Sequence, residues 1–167
     1  MTTIDPRNPI LPSAASWQPR PTVSWQSDRS WVMGIVNATP DSFSDGGELS
    51  SPQAAAERAV RMVIDGAAGV DIGGESTRPG STRVDASEQR QRIVPVIAAI
   101  RKALAATVIS IDTTLTDVAA AALDAGADAV NDVSGGQDDA GMFKLIAARQ
   151  CGYIAMHRLA PPGSDVY

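Results

Sequence analysis

Between Trp31 and Met156 five short apolar runs alternate with four stretches of helical periodicity, and this alternation constrains the fold more than any other feature of the chain. The runs cover residues 32–36, 70–73, 108–111, 129–130 and 153–156. Helices are predicted over 52–67, 86–105, 117–124 and 140–150. In the first, Ser51 is placed to cap and Pro52 sits where a first-turn proline is tolerated. Ala55, Ala59, Met62 and Val63 then recur on one side. The second carries Ile93, Val96, Ile97, Ile100 and Leu104 as its apolar stripe, with Pro95 inside it, which predicts a kink or a later start. Thr116 is the expected cap of the third, and Gly126 its stop.

Strands alternating with helices predict βα units and a parallel sheet. Short, apolar strands of this kind are expected where both faces are buried, so the face away from the helices is expected to be apolar as well. Polar residues gather just past each run: Asn37, Glu75, Asp112, Asn131-Asp132 and His157. Open α/β sheets and (β/α)₈ barrels both place their sites there. The chain has no GxGxxG and no GxxxxGK[ST], which disfavours the nucleotide-binding sheets. The fold class expected is therefore α/β, a (β/α)₈ TIM barrel. Such a barrel takes about 250 residues and eight strands, so 167 residues and five strands imply one truncated after about the fifth strand. Residues 1–30, broken by Pro6, Pro9, Pro12, Pro19 and Pro21, read as an N-terminal extension. Trp17, Val23 and Trp25 could form a hairpin there, and a partly ordered tail is the competing expectation. Residues 31–167 form the incomplete barrel.

Composition narrows the function. A net charge of -5 without a basic patch argues against nucleic acid. One cysteine and one histidine exclude an internal disulfide and any multi-cysteine or histidine-rich metal site. Cys151 reads as a half-buried structural thiol. No run approaches the roughly 20 apolar residues of a membrane span, and the polar N-terminus lacks a signal-like stretch, so no membrane and a cytoplasmic location are expected.

Four segments could carry chemistry. The first, residues 33–47, reads MGIVNATPDSFSDGG. The amide oxygen of Asn37 could ligate a hard cation such as Mg²⁺, which binds few protein groups and substrate phosphates besides. Phe43 could fold over an aromatic substrate, but on composition alone a loop anchor for Phe43 and turn chemistry for Asp41 and its serine neighbours are the favoured account. The second, residues 71–80, reads DIGGESTRPG, where Arg78 could grip a phosphate through paired donors with Ser76 and Thr77 adding to an anion pocket. A glycine-rich turn with a solvated arginine is the plainer account. The third and fourth end in Asp112-Thr113 and Asn131-Asp132. A carboxylate and an amide on neighbouring strand ends can hold an amino-pyrimidine ring. Asp132 is read as a support for its own loop and His157 as a residue outside the reacting groups.

Together these segments closely resemble dihydropteroate synthases. The segments at 33–47 and 71–80 are similar to that family's two signatures, and ISIDT (109–113), VNDV (130–133) and MH (156–157) match in order and spacing. The resemblance spans about residues 31–160. It implies a pterin-binding (β/α)₈ barrel and an alkyl/aryl transferase of folate biosynthesis, which condenses hydroxymethyl-dihydropterin pyrophosphate with p-aminobenzoate to give dihydropteroate and pyrophosphate. It further implies Mg²⁺ as cofactor and Asn37 as its ligand. Thr77 and Arg78 would meet the pyrophosphate or p-aminobenzoate, and Asp112 and Asn131 would hold the pterin. Asp41 and Phe43, on a loop closing over the site, would share the catalytic roles with Arg78. A homodimer is implied for the complete protein. Two departures stand out: Thr114-Leu115-Thr116 replaces the family's small polar residue, basic residue and proline, and the family's later Asp, Lys and Arg-x-His find no counterpart. An inactive barrel fragment that binds a pterin or a partner chain, and a methyltetrahydrofolate methyltransferase-like domain, stay open as alternatives.

Overall fold

The computed structural model describes residues 4–5, 8–12, 16–38, 51–75 and 84–157. Asp41, Phe43, Thr77 and Arg78 lie outside them. Two small antiparallel pairs come first: β1 (Ile4–Asp5) with β2 (Asn8–Pro12), and β3 (Ser16–Arg20) with β4 (Val23–Gln26). Then β5 (Met33–Asn37), α1 (Pro52–Ile64), β6 (Gly69–Gly73), α2 (Ala86–Ala103), β7 (Val108–Asp112), α3 (Thr116–Asp124), β8 (Ala129–Asp132), α4 (Met142–Arg149) and β9 (Gly152–Ala155) follow in strict alternation.

Strands β5 to β9 are all parallel, and their order in the sheet is their order in the chain. An order that never reverses offers no switch point, which separates a barrel wall from a doubly wound sheet. It also keeps every helix on one side. Val36, Val70, Ile72, Ile109, Ile111 and Val130 turn to that side and join one buried cluster with Ala55, Ala59, Ile93, Ile97, Ile100, Val118, Ala122 and Met142.

The opposite face departs from expectation. Side chains alternate along a strand, so the residues between those apolar ones face away from the helices. In the three central strands they are Gly69, Asp71 and Gly73 of β6, Ser110 and Asp112 of β7, and Ala129 and Asn131 of β8. Over these three central strands the face is small and polar, whereas Ile35 of β5 and Ile154 of β9 keep apolar side chains on it. The runs in β6 and β7, read as continuous apolar strands, are alternating ones whose apolar half is spent on the helix layer.

Helix ends follow local chemistry with one correction. Ser51 Oγ accepts from the Ala54 N–H at 3.2 Å and Asp85 from Glu88 at 2.8 Å. Helix α2 begins at Ala86 and keeps Pro95 within it, so the later start is not taken. Pro95 is exposed, and the Gln91 carbonyl that it cannot serve lies on the same exposed side. Thr116 does not cap α3. Leu115 occupies that position without a side-chain bond, and Asp139 from the loop before α4 accepts from the Thr116 N–H at 2.8 Å. A tertiary carboxylate supplies the acceptor that the local sequence was expected to provide. Gly126 leaves α3 at φ +113, a conformation that favours glycine.

The β3–β4 hairpin covers the N-terminal end of the sheet. A Cβ on Gly152, the first residue of β9, would come within 2.9 Å of Pro19 Cα and Trp17 Cζ2. Trp17 and Trp25 meet edge to face at 5.2 Å, and Trp25 stacks on Trp31 at 5.4 Å. Beneath them Asp128 accepts from the Ile109 N–H at 2.9 Å, pairs with Arg101 and faces Arg20 at 3.7 Å. Arg101 also donates to the carbonyls of Gly126 and Thr107 at 2.8–3.0 Å. One carboxylate thus joins α2, β7, β8 and the hairpin. Asp128→Ala strips Arg101 and an amide of their partner and is expected to cost about 2–3 kcal/mol. The check is urea denaturation, where an unchanged midpoint would show that the network does not hold these elements.

Candidate active site at the strand ends

The register of the sheet sets the site. Asn37 pairs with Gly73, Gly73 with Asp112, Asp112 with Asn131, and Asn131 with Ile154, so five strand ends form one row. Residues aligned in this way point to the same face of the sheet. Three of the residues singled out from the sequence, Asn37, Asp112 and Asn131, are therefore neighbours on the polar face. Gly73 keeps the row open, since a Cβ there would lie 3.2 Å from Asn37 Oδ1.

Asn131 is held from below. Its Nδ2 donates to Asp71 Oδ2 at 2.9 Å, while its Oδ1 is buried without a partner. Asp71 lies one step deeper on β6 and is 7 % exposed. Its other oxygen accepts from Ser110 Oγ. Burial raises the Asp71 pKa, and the bonds from Ser110 and Asn131 pull it the other way. Asp112 is more affected. Burial, then the charges of Asp71, Asp132 and Glu75, push its carboxyl up to about 7. The pocket therefore offers carboxylate and amide oxygens in an acidic setting, an environment that rewards N–H donors.

The surrounding loops are anchored by groups that take no part in the row. Glu75 accepts from the Val84 N–H at 3.1 Å and from Gln89 Nε2 at 3.0 Å. Gln89, buried on the apolar side of α2, also donates to the Val84 carbonyl at 2.9 Å and accepts from Thr113 Oγ1 at 3.4 Å. Asp132 turns to the helix side. It accepts from the N–H and Oγ of Ser134, the N–H of Gly136 and the hydroxyl of Tyr153 at 2.7–2.9 Å. Burial and this bond to Asp132 raise the Tyr153 pKa. His157 is exposed beyond β9. Cys151 is partly buried, and burial pushes its thiol up.

The residues that sequence reasoning missed are Asp71 and Ser110. From the sequence Asp71 reads only as part of the apolar run 70–73 and as the first residue of the segment 71–80. The usable signal was a charge inside a buried strand with a hydroxyl two residues before Asp112 on the next one. Asp41, Phe43, Thr77 and Arg78 belong to segments outside the described residues, as do the turn residues around them. A groove of about 630 Å³ between α1 and α2, lined by Ala56, Val60 and Ala99 with Glu57, Arg61 and Lys102, shares no residue with the row.

Comparison with known proteins places this geometry. The pterin binding enzyme family matches the chain over residues 33–164. The chain belongs to that family. It is 50% identical over 126 residues to a dihydropteroate synthase of Streptococcus pyogenes, covering 75% of this chain and 47% of that protein. It is 44% identical over 140 residues to the mitochondrial folate synthesis bifunctional protein of Pisum sativum, covering 83% of this chain and 27% of that one. Among solved structures it resembles a Xanthomonas albilineans dihydropteroate synthase with 4-aminobenzoic acid, with TM-score 0.77 and 39% identity over 87% of this chain and 53% of that one. A Burkholderia cenocepacia dihydropteroate synthase complexed with 7,8-dihydropteroate gives TM-score 0.74 and 38% identity over 89% of this chain and 48% of that one. The chain spans about half the length of these bacterial relatives. The family's barrel fold is the one expected from the sequence, and the five-strand parallel sheet agrees with it. Among the described residues no helix is long and apolar enough to cross a membrane.

The raised Asp112 carboxyl has a consequence for the stability of this chain. Below about pH 4 the group is protonated in both folded and unfolded chains and costs nothing. As pH rises towards 7 the unfolded chain ionises first, so the fold loses stability through that window. Above it a penalty on the order of a few kcal/mol stands. Asp112→Asn removes the titration. The stability of the variant relative to wild type is expected to rise from pH 4 to pH 8, read from urea denaturation, and a difference independent of pH would show that Asp112 ionises as it does in water.

Proposed function

We propose that the protein carrying this chain is a dihydropteroate synthase, joining hydroxymethyl-dihydropterin pyrophosphate to p-aminobenzoate with release of pyrophosphate. The observation that carries the reading is the pairing of Asp112 with Asn131 on adjacent strand ends, one acidic and one with a buried amide oxygen left open. An aminopyrimidine edge presents N–H donors in one plane, and these two groups accept in one plane. The names of the relatives support the same reading.

The reaction breaks the bond between the pterin methylene and the pyrophosphate oxygen. It forms a bond from that carbon to the arylamine nitrogen, which then gives up a proton. In this reading no side chain attacks the substrate; the site positions two substrates and stabilises the charge that develops. Asp112 and Asn131 fix the ring, so that the methylene faces the mouth of the row. Thr77 and Arg78 hold the pyrophosphate and border the p-aminobenzoate. Asp41 and Phe43, on the segment after β5, close over the site and keep water from the electrophilic carbon.

Asn37 suits Mg²⁺. Its side chain is exposed at the strand end, with Oδ1 over Gly73, and among the described residues no group of three or more His, Cys, Asp or Glu could hold an ion alone. A cation that keeps its waters and takes most of its protein-side charge from substrate phosphates needs no more than such an oxygen. When bound it would neutralise the leaving pyrophosphate. A homodimer completes the reading.

Two measurements test it. Asp112→Asn places an amide against ring donors and is expected to weaken pterin binding by about 1–3 kcal/mol; calorimetry showing unchanged affinity would take Asp112 out of the pocket. Phe43→Ala is expected to raise KM for p-aminobenzoate more than that for the pterin pyrophosphate. Steady-state kinetics with equal losses for both substrates, or a loss confined to the pterin one, would remove Phe43 from the p-aminobenzoate side.

A further inference from the structure

The bond between Asn131 and Asp71 leaves the amide only one workable orientation. Asp71 accepts on both oxygens, from Ser110 Oγ and from Asn131 Nδ2. Turning the amide over would press its oxygen against a carboxylate oxygen and leave Asp71 without that donor. Both groups are out of reach of water's compensation, since Asp71 and Ser110 are buried and Asn131 Oδ1 is covered. Asp71 and Ser110 are also paired in register on neighbouring strands, so the clamp rests on backbone ladders rather than on a loop. The result is an oxygen fixed in the row beside Asp112, unsatisfied until a donor arrives. A buried acceptor left open in this way is costly unless a ligand meets it.

We infer that Asp71 is a positioning residue: through Asn131 Nδ2 it locks the amide so that Oδ1 faces the ligand, and it thereby selects a ring that presents an N–H donor over one that presents a carbonyl. The inference rests on the pterin-binding reading of the same row. Asp71 itself touches no ligand in this account. Its carboxylate is a one-way reference, because it can accept from Asn131 but cannot donate to it. An amide in its place can do both, and Asn131 would then be free to turn.

The test uses the protein in its full form and two ring probes, pterin and lumazine, in which a carbonyl replaces the 2-amino group. Wild type is expected to bind pterin more tightly than lumazine. In Asp71→Asn the ratio of the two affinities is expected to fall by about tenfold, since one donor–acceptor match is no longer enforced. A merely structural role would weaken both probes alike, so an equal loss, or an unchanged ratio, overturns the inference. If wild type binds neither probe, the pterin reading fails instead. A second measurement needs no variant that folds. In unliganded wild-type protein one Asn131 side-chain amide proton is expected to exchange slowly with solvent in NMR spectra, as it is held by a buried carboxylate. Exchange of both protons as fast as those of a surface asparagine would overturn the lock.

Discussion

The three central parallel strands, β6 to β8, turn their large apolar side chains to one face, against the helices, and the rest of the structure depends on that division. Val70 and Ile72, Ile109 and Ile111, and Val130 are committed to the helices. What alternates with them must be small or polar, and it is: Gly69, Asp71 and Gly73, Ser110 and Asp112, Ala129 and Asn131. Because the strands are parallel and in register, the polar residues of neighbouring strands line up. A site arises from the same alternation that builds the core.

Polar groups on a buried face must satisfy one another, and here they do so in layers. The deeper layer, Asp71 with Ser110, is closed by hydrogen bonds. The upper layer, Asp112 with Asn131, is not. Asn131 spends one amide hydrogen on Asp71 and keeps its oxygen, and Asp112 carries a carboxyl pushed up by burial and by neighbouring charge. The gradient from satisfied to unsatisfied groups runs towards the strand C-terminal ends, where a parallel barrel receives its ligand. Stability is invested at the other end. There Asp128, Arg101 and Arg20 join the helix layer, the strands and the hairpin, with the tryptophans packed over the first residues of β6 and β9. Such segregation lets the ligand end carry open acceptors while the opposite end carries the bracing.

Residues that flank the site without lining it explain how it is held. Glu75 and Gln89 tie the end of β6 to the start of α2, and Asp132 gathers the turn after β8 together with Tyr153. None of these would be recognised from its residue type. A glutamate or an aspartate beside a glycine-rich loop is equally suited to meet a ligand or to fasten a turn, and only the partners distinguish the two.

The sequence by itself determined the element order, the parallel sheet, Ser51 as a cap, Gly126 as a stop, and the resemblance that names the family. These rest on local rules, namely periodicity, capping chemistry and the spacing of motifs, which act within a few residues. It also placed Asn37, Asp112 and Asn131 at strand ends. It left open which strand ends meet, because register is a relation between segments of the chain tens of residues apart. Thr116 was expected to cap its own helix, and a distant carboxylate took that role. The face away from the helices was expected to be apolar, because a run such as VDIG does not say which of its residues turn inwards until the helices occupy one side. Asp71 owes its role to Asn131, sixty residues away, and a contact of that reach exists only once the strands between them are in register.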